Sequence, residues 1–379
     1  MASGHVERRS KHGWTLVIDH GRYVDPVTHT EGQRREYRAI RNCTKAEALA
    51  QLYDVLSEIN KGTYVKPSTV TLADYLHQWY DQHCVPRLAP KTLECYRQAI
   101  AHLTPILGTI ALANLTPPLV QAAYSQLLAQ GVGKRSVQLA HVVLRMALKQ
   151  AVRAGSLYRN ATDAVTPPGS PKHEMVALRP DEVDTLLHAA QESGILEFVI
   201  LALSTGLRRG ELLALQWQDI DWPNATLKVD KTLQRVEKRI LVKPPKTQRS
   251  RRTVPLDEET LILLRHMRGR TTSTFVFSRP DGQPLDPSTV THQFKRLARK
   301  AGFPAMRLHD TRHTYATLAF LAHVELRLVQ DLLGHEDIST TANTYTHVTS
   351  EAKEAAAEAI GRMLRSGKRH VSDESDAGR

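Results

Sequence analysis

The run Thr166-Pro167-Pro168-Gly169-Ser170-Pro171 stands close to the middle of the chain, and neither a helix nor a sheet ladder continues through it. Each proline lacks an amide hydrogen and fixes its own φ, and each also biases the residue before it away from helical backbone. The chain must therefore build separate bodies on either side of this break. Lys66-Pro67-Ser68 supplies a second, earlier break. With 379 residues to distribute, two or three domains of roughly 100–200 residues each are expected, with no internal repeat among them. The breaks divide the chain into segments 1–64, 69–165 and 175–365, with a polar tail at 366–379.

In the first segment, Trp14-Thr15-Leu16-Val17-Ile18 alternates as a strand does, and a second strand-like run follows near Tyr37 to Ile40. Thr44 and Glu47 then have the spacing of a capping box, which opens a helix reaching about Asn60. A small sheet with one packed helix is the simplest fold for 1–64. The second segment reads as helical throughout, with Thr71 and Asp74 forming another cap and Pro90 at a helix start. Leu139, Val142, Val143 and Met146 recur at helical spacing and are assigned to the core of a bundle of about four helices. In the third, Pro180-Asp181-Glu182 opens a helix, strands fill about 226–256, and helices resume from Ser288. An Ala/Glu-rich helix is expected near Glu351 to Leu364. The tail GKRHVSDESDAGR has too little apolar surface to order itself.

Lys and Arg outnumber Asp and Glu by 51 to 39, giving a formal charge of +12. Such an excess favours a polyanionic partner, because binding releases counterions from nucleic acid. No apolar run approaches the roughly 20 residues that span a bilayer, and MASGHVERRSKHGW lacks the apolar stretch of a secretory signal. A cytoplasmic protein with no membrane partner is expected. Cys43, Cys84 and Cys95 lack CxxC spacing, so neither a disulfide framework nor a cysteine-rich zinc site is indicated.

Chemistry concentrates beyond the central break. In STGLRRGELLAL, Gly206 stops one helix, and Arg208 and Arg209 fall where the next begins. Cations there oppose the helix macrodipole and make better sense beside a bound anion; a solvated arginine pair is the plainer alternative. LVKPPKTQRSRRTVPL reads as two strands flanking a basic turn with Lys243, Lys246, Arg249, Arg251 and Arg252, a cationic hairpin able to follow a nucleic-acid groove. A plain charged loop fits that stretch equally well. In RLHDTRHTYATL, His309 and Arg312 are three apart and share a helical face. His309 and His313 have a zinc-chelating spacing, but Asp310 replaces the glutamate of an HExxH motif and Arg312 would place a cation beside the metal. In LLGHEDISTTANTYTHV, Gly334 ends a helix, His335 follows it, and Ser339 or Thr340 is placed to cap the short helix carrying Tyr345. Alone, Tyr345 reads as a core aromatic. Two arginines, a lysine, two histidines and a tyrosine together fit phosphoryl transfer driven by protein charges, with no cofactor and no metal.

These four stretches, in this order, resemble the tyrosine recombinase family, and specifically phage-type and mobile-element integrases. The likeness covers Met175 to about Leu364, while TLADYLHQWY is similar to the family's helical core-binding domain. Residues 1–64 look like the small three-stranded arm-binding domain of many integrases. The resemblance implies a multidomain α+β protein, mainly helical with small sheets. It implies Arg208, Lys246, His309, Arg312 and His335 as catalytic residues, Tyr345 as nucleophile, and Glu211 as acidic support for Arg208; the PKT context favours Lys246 over Lys243. It further implies cleavage and rejoining of double-stranded DNA at core-type and arm-type sites, by a homotetramer acting through a 3′-phosphotyrosyl link and a Holliday junction. DNA-bending and directionality factors are implied partners. The helix at 351–364 is expected either to dock on a neighbouring protomer or to cap its own catalytic core. A type IB topoisomerase shares the chemistry without defined sites, and a DNA-binding regulator with unused catalytic residues would form no covalent adduct.

Overall fold

A computed structural model describes residues 2–10, 13–24, 31–61, 64, 69–169, 175–237, 239–245 and 250–334. The chain falls into two units, Met1–Pro171 and Lys172–Arg379.

In the first unit, β1 (Ser3–Ser10), β2 (Gly13–Val24) and β3 (Glu31–Arg41) form an antiparallel meander. Leu16 and Ile18 lie two apart on β2, hence on one face of the sheet. They are buried in one cluster with Ala48, Leu52 and Val55 of α1 (Lys45–Asn60). The Thr44 capping box is present: the Glu47 amide donates to Thr44 Oγ1 at 3.3 Å and the Thr44 amide to Glu47 Oε2 at 2.7 Å. The three strands are those the family resemblance implies, one more than alternation alone predicts.

The helices α2 (Leu72–Trp79), α3 (Pro90–Leu107), α4 (Pro117–Ala129) and α5 (Lys134–Arg153) enclose a separate core, with a π-helical turn at Tyr80–Cys84. Thr71 caps α2, its hydroxyl accepting from the Asp74 amide at 3.2 Å. The assignment of the 139–146 stripe to the core needs correction. Val143 is fully buried, but Val142 is 47% and Met146 36% exposed. The inner face of α5 is set by Val137, Ala140, Leu144, Ala147, Leu148 and Ala151, a stripe offset from the expected one. Small alanines let α5 approach its neighbours closely, and they weigh less than Val or Met in an apolar pattern.

The second unit begins with α6 (Pro180–Glu192), α7 (Leu196–Thr205) and the short α8 (Arg209–Ala214). The strands β4 (Ile220–Asp221), β5 (Thr226–Val229), β6 (Thr232–Val236), β7 (Arg239–Lys243) and β8 (Arg252–Pro255) follow. The unit continues through α9 (Glu258–Arg268), α10 (Pro287–Lys300), α11 (Asp310–Leu321) and α12 (Leu326–Leu333). The architecture is the expected one, mainly helical with small antiparallel sheets. The expected pairing of the basic hairpin is overturned, however. β7 pairs with β6 and β8 pairs with β5, so the basic stretch crosses from one sheet to another instead of closing a hairpin. The reason is burial: Leu227, Val229 and Val254 enter the core together, whereas β7 is largely exposed and has no core-facing stripe to offer β8.

Gly206 ends α7 with φ of 61°, and a Cβ there would lie 2.7 Å from the Tyr315 ring and 2.8 Å from Leu333 Cδ2. Gly206→Ala is expected to destabilise the unit by about 2–4 kcal/mol, combining left-handed backbone strain with overpacking. The urea midpoint should fall accordingly, and an unchanged midpoint would contradict this reading of the turn.

Candidate active site

The turn after α7 sets the site. Gly206 reverses the chain so that Arg208 becomes the N-cap of α8, with Glu211 at the third position of that helix. The Glu211 carboxylate folds back, accepting from the Arg208 amide at 2.9 Å and from Arg208 Nη1 at 3.0 Å. From β8, Arg252 Nη2 donates at 2.9 Å to Oε2, which also takes the Arg208 amide, and Arg252 Nη1 donates at 3.3 Å to Oε1, which also takes Arg208 Nη1. Glu211 is only 5% exposed. Burial by itself would raise its carboxyl, but the hydrogen bond and charge of Arg252, followed by those of Arg208, hold it below the usual carboxylate range.

Arg312, in the first turn of α11, is 1% exposed. Its Nη1 donates to the Gly206 carbonyl at 2.8 Å and its Nη2 to the Leu333 carbonyl. Burial, with Arg208 and Arg252 close by, pushes its pKa down from the ordinary arginine value, and Glu211 opposes the shift. The end of α12 completes the network. Arg208 Nη2 donates to the Gly334 carbonyl at 3.1 Å and Arg252 Nε to the Leu332 carbonyl. The last carbonyls of a helix lack intrahelical partners and form the negative end of its dipole. At this site they share with Glu211 the neutralisation of three guanidiniums.

His309 precedes α11 and meets His313 edge to face, with ring centroids 5.2 Å apart. Its side chain keeps an exposed edge, but protein atoms crowd the rest of the ring. That crowding, then the charges of His313, Arg312 and Arg208, pushes its pKa down to about 4, against an opposing pull from Asp310. The imidazole is therefore neutral at neutral pH and able to accept a proton. An unfolded chain would protonate this histidine near pH 6.5, so between about pH 6.5 and 4 the unfolded state binds the extra proton and stability falls as pH falls. Imidazole NMR resonances of His309 are expected to stay in the neutral form down to about pH 5; a midpoint near 6.5 would contradict this environment.

The two adjacent arginines separate in role. Arg209 Nη1 donates to Thr291 Oγ1 at 2.6 Å and is spent tying α8 to α10. A cleft of about 840 Å³ opens beside the site, with Arg208, Arg209, Thr232, Lys295, Arg307 and His309 in its walls. Four cations stand among walls that are otherwise mostly apolar, Leu233, Phe294 and Met306 among them, and those cations suit an anionic chain. Arg208, Glu211, His309 and Arg312 are thus brought together, whereas Lys246, His335 and Tyr345 lie outside the described residues, as does the helix expected at 351–364. Lys243 ends β7 opposite Thr232. Among the described residues no three His, Cys, Asp or Glu side chains converge to hold a metal.

Sequence alone assigns Arg252 only to a basic turn. Its alternation with Val254, which is buried on the same strand, is the signal that it faces inward. Tyr315 lies in RLHDTRHTYATL but has no role assigned from the sequence; it is half-buried, and burial raises its phenol pKa while Arg252 and Arg312 lower it.

The chain matches the model of the phage integrase family over residues 177–352 and that of the phage integrase N-terminal SAM-like domain over 71–128. An integrase of Mycobacterium phage L5 is 30% identical over 79% of this chain and 81% of its own length. A tyrosine recombinase XerC-like protein of Caldanaerobacter subterraneus subsp. tengcongensis is 29% identical over 92% of this chain and 99% of its own. Among solved structures, Tn1549 transposon integrase in complex with transposon right end DNA superposes with a TM-score of 0.65 at 21% identity, covering 77% of this chain and 99% of that one. A lambda integrase tetramer bound to a Holliday junction gives 0.59 at 21% identity, covering 89% and 94%.

Proposed function

We propose, from the premise that this chain belongs to the phage integrase family of tyrosine recombinases, that it cleaves and rejoins DNA at specific sites through a covalent bond between Tyr345 and a DNA phosphate. It is a site-specific recombinase, and its substrate is double-stranded DNA exchanged through a Holliday junction. The observation that carries the chemical reading is that Arg208 and Arg312 donate to the adjacent Gly334 and Leu333 carbonyls at the end of α12, with Glu211 bracing Arg208.

The Tyr345 phenol oxygen attacks phosphorus, its proton passing toward neutral His309, and the 5′ oxygen departs with a proton from Lys246. Arg208 and Arg312 neutralise the non-bridging oxygens and His335 adds a hydrogen bond, so charge that builds in the transition state meets donors already in place. The 3′-phosphotyrosyl bond retains the phosphodiester's energy, and attack by a 5′ hydroxyl reverses the step without ATP. Lys246, His335 and Tyr345 take these roles from the family's motif alone.

Three functional segments support the reaction: 1–64 on arm-type DNA, 69–165 on core-type DNA, and 175–365 for catalysis. The separate apolar cores of the sheet with α1 and of α2–α5 support dividing the first unit in this way. Four copies act on two sites, with bending and directionality factors setting the outcome. The protein works in the cytoplasm, on the nucleoid.

A nicked duplex that loses its 5′ hydroxyl fragment on cleavage tests the function. The wild-type chain should form an adduct resistant to denaturation, with chelator present. Specific binding with no adduct would defeat the recombinase assignment in favour of a DNA-binding regulator.

A further inference from the structure

The geometry points to Arg252 as a positioning residue for strand cleavage, acting through Glu211 on Arg208 and through the Leu332 carbonyl on the end of α12. This rests on the recombinase reading above. Arg252 is buried, as Arg312 is, and what marks it as a brace is that its guanidinium is given over to Glu211 and to two backbone carbonyls. Its guanidinium is occupied on four sides, by both Glu211 oxygens, by the Ser250 carbonyl at 3.2 Å and by the Leu332 carbonyl.

Consecutive carbonyls at the end of α12 go to different arginines, Leu332 to Arg252, Leu333 to Arg312 and Gly334 to Arg208. Arg208 and Arg312 must turn N–H groups toward the scissile phosphate during the reaction. Arg252, bonded to the carboxylate and to the Leu332 carbonyl at once, holds both Glu211 and α12 while they do so. His335 follows Gly334 directly in sequence, so the position of this helix end bears on the chain that leads to His335 and Tyr345. A lysine offers a single ammonium in place of a planar fork and cannot span the carboxylate and the Leu332 carbonyl together.

Among the described residues, the charged groups that act on Glu211 are Arg208 before α8, Arg252 on β8 and Arg312 on α11, with Tyr315 of α11 against the last two, while α12 gives backbone carbonyls to the three arginines. Arg252 is the strongest of the influences keeping the buried carboxylate charged. Without it, Glu211 protonates at higher pH, and a protonated Glu211 no longer braces Arg208. The acid limb of cleavage then moves up toward neutrality.

The test measures adduct formation on a nicked duplex carrying the repeated junction sequence that flanks the gene. Arg252→Gln is expected to slow trapping on the order of 10²-fold, the scale of a misplaced reacting group. Its rate should drop further than the wild type's as pH is lowered from about 8 to about 6. In a Glu211→Gln background the same change should add no new pH dependence. Arg252→Lys, which keeps the cation, should restore the wild-type acid limb while remaining about 10-fold slow. A loss equal at every pH in folded Arg252→Gln would make the residue purely structural and overturn the inference. If Arg252→Gln does not fold, wild-type trapping by Arg252→Lys overturns it. Failure of the wild-type chain itself to form an adduct would instead sink the recombinase reading.

Discussion

Tyr345→Phe is expected to bind its DNA site with wild-type affinity and to form no covalent adduct at all. The substitution removes one oxygen from the chain and leaves every cationic group in place, so the charge that draws DNA to the protein is unchanged. A phenylalanine ring has no nucleophile, and Tyr315 is not expected to replace it, since burial raises the pKa of its phenol and its ring packs against Gly206. Gel shift and adduct assays on the same nicked duplex separate the two effects. Loss of binding in parallel with loss of adduct would assign Tyr345 to the core instead.

Arg312→Lys is expected to lower the trapping rate by roughly 10²–10³-fold, the usual consequence of removing one preorganised donor from a charged transition state. It should also reduce stability, because one ammonium cannot reach the Gly206 and Leu333 carbonyls together. A buried carbonyl left without a donor costs about 1–3 kcal/mol. Arg208→Lys provides the contrast. It should lose comparable activity with a smaller change in urea midpoint, since Arg208 is part-exposed and the buried Glu211 it leaves stays paired with Arg252. Equal midpoints for the two variants would contradict a stabilising role for the buried network around Arg312.

What is legible in the sequence follows the range of the interactions involved. Thr44 with Glu47, Thr71 with Asp74, and Gly206 as a helix stop depend on residues a few positions apart, and the structure bears out each of them. The pairing of β8 with β5 depends on which strands enter one core, which local alternation does not encode, so the basic stretch imitates a hairpin. α9 escapes the sequence reading although Asp257 caps it through Thr260. In the site, Arg208, Glu211, His309 and Arg312 follow from motif order. The inward role of Arg252 requires the register of β8 and the end of α12, both set by tertiary contacts. Arg209, adjacent to Arg208 and chemically identical, illustrates the same limit: the motif assigns Arg208 to Glu211, and the fold adds that Arg209 is bound to Thr291.

Peptide mapping of the covalent adduct tests the central claim most directly. Trypsin places Tyr315 in the peptide 313–327 and Tyr345 in 328–353. After nuclease trimming of the trapped complex, tandem mass spectrometry should find a nucleotide attached through its 3′ phosphate to Tyr345 in the peptide 328–353. Attachment in 313–327 or at any other residue, or a wild-type protein bound to its site with no attachment, would contradict the account.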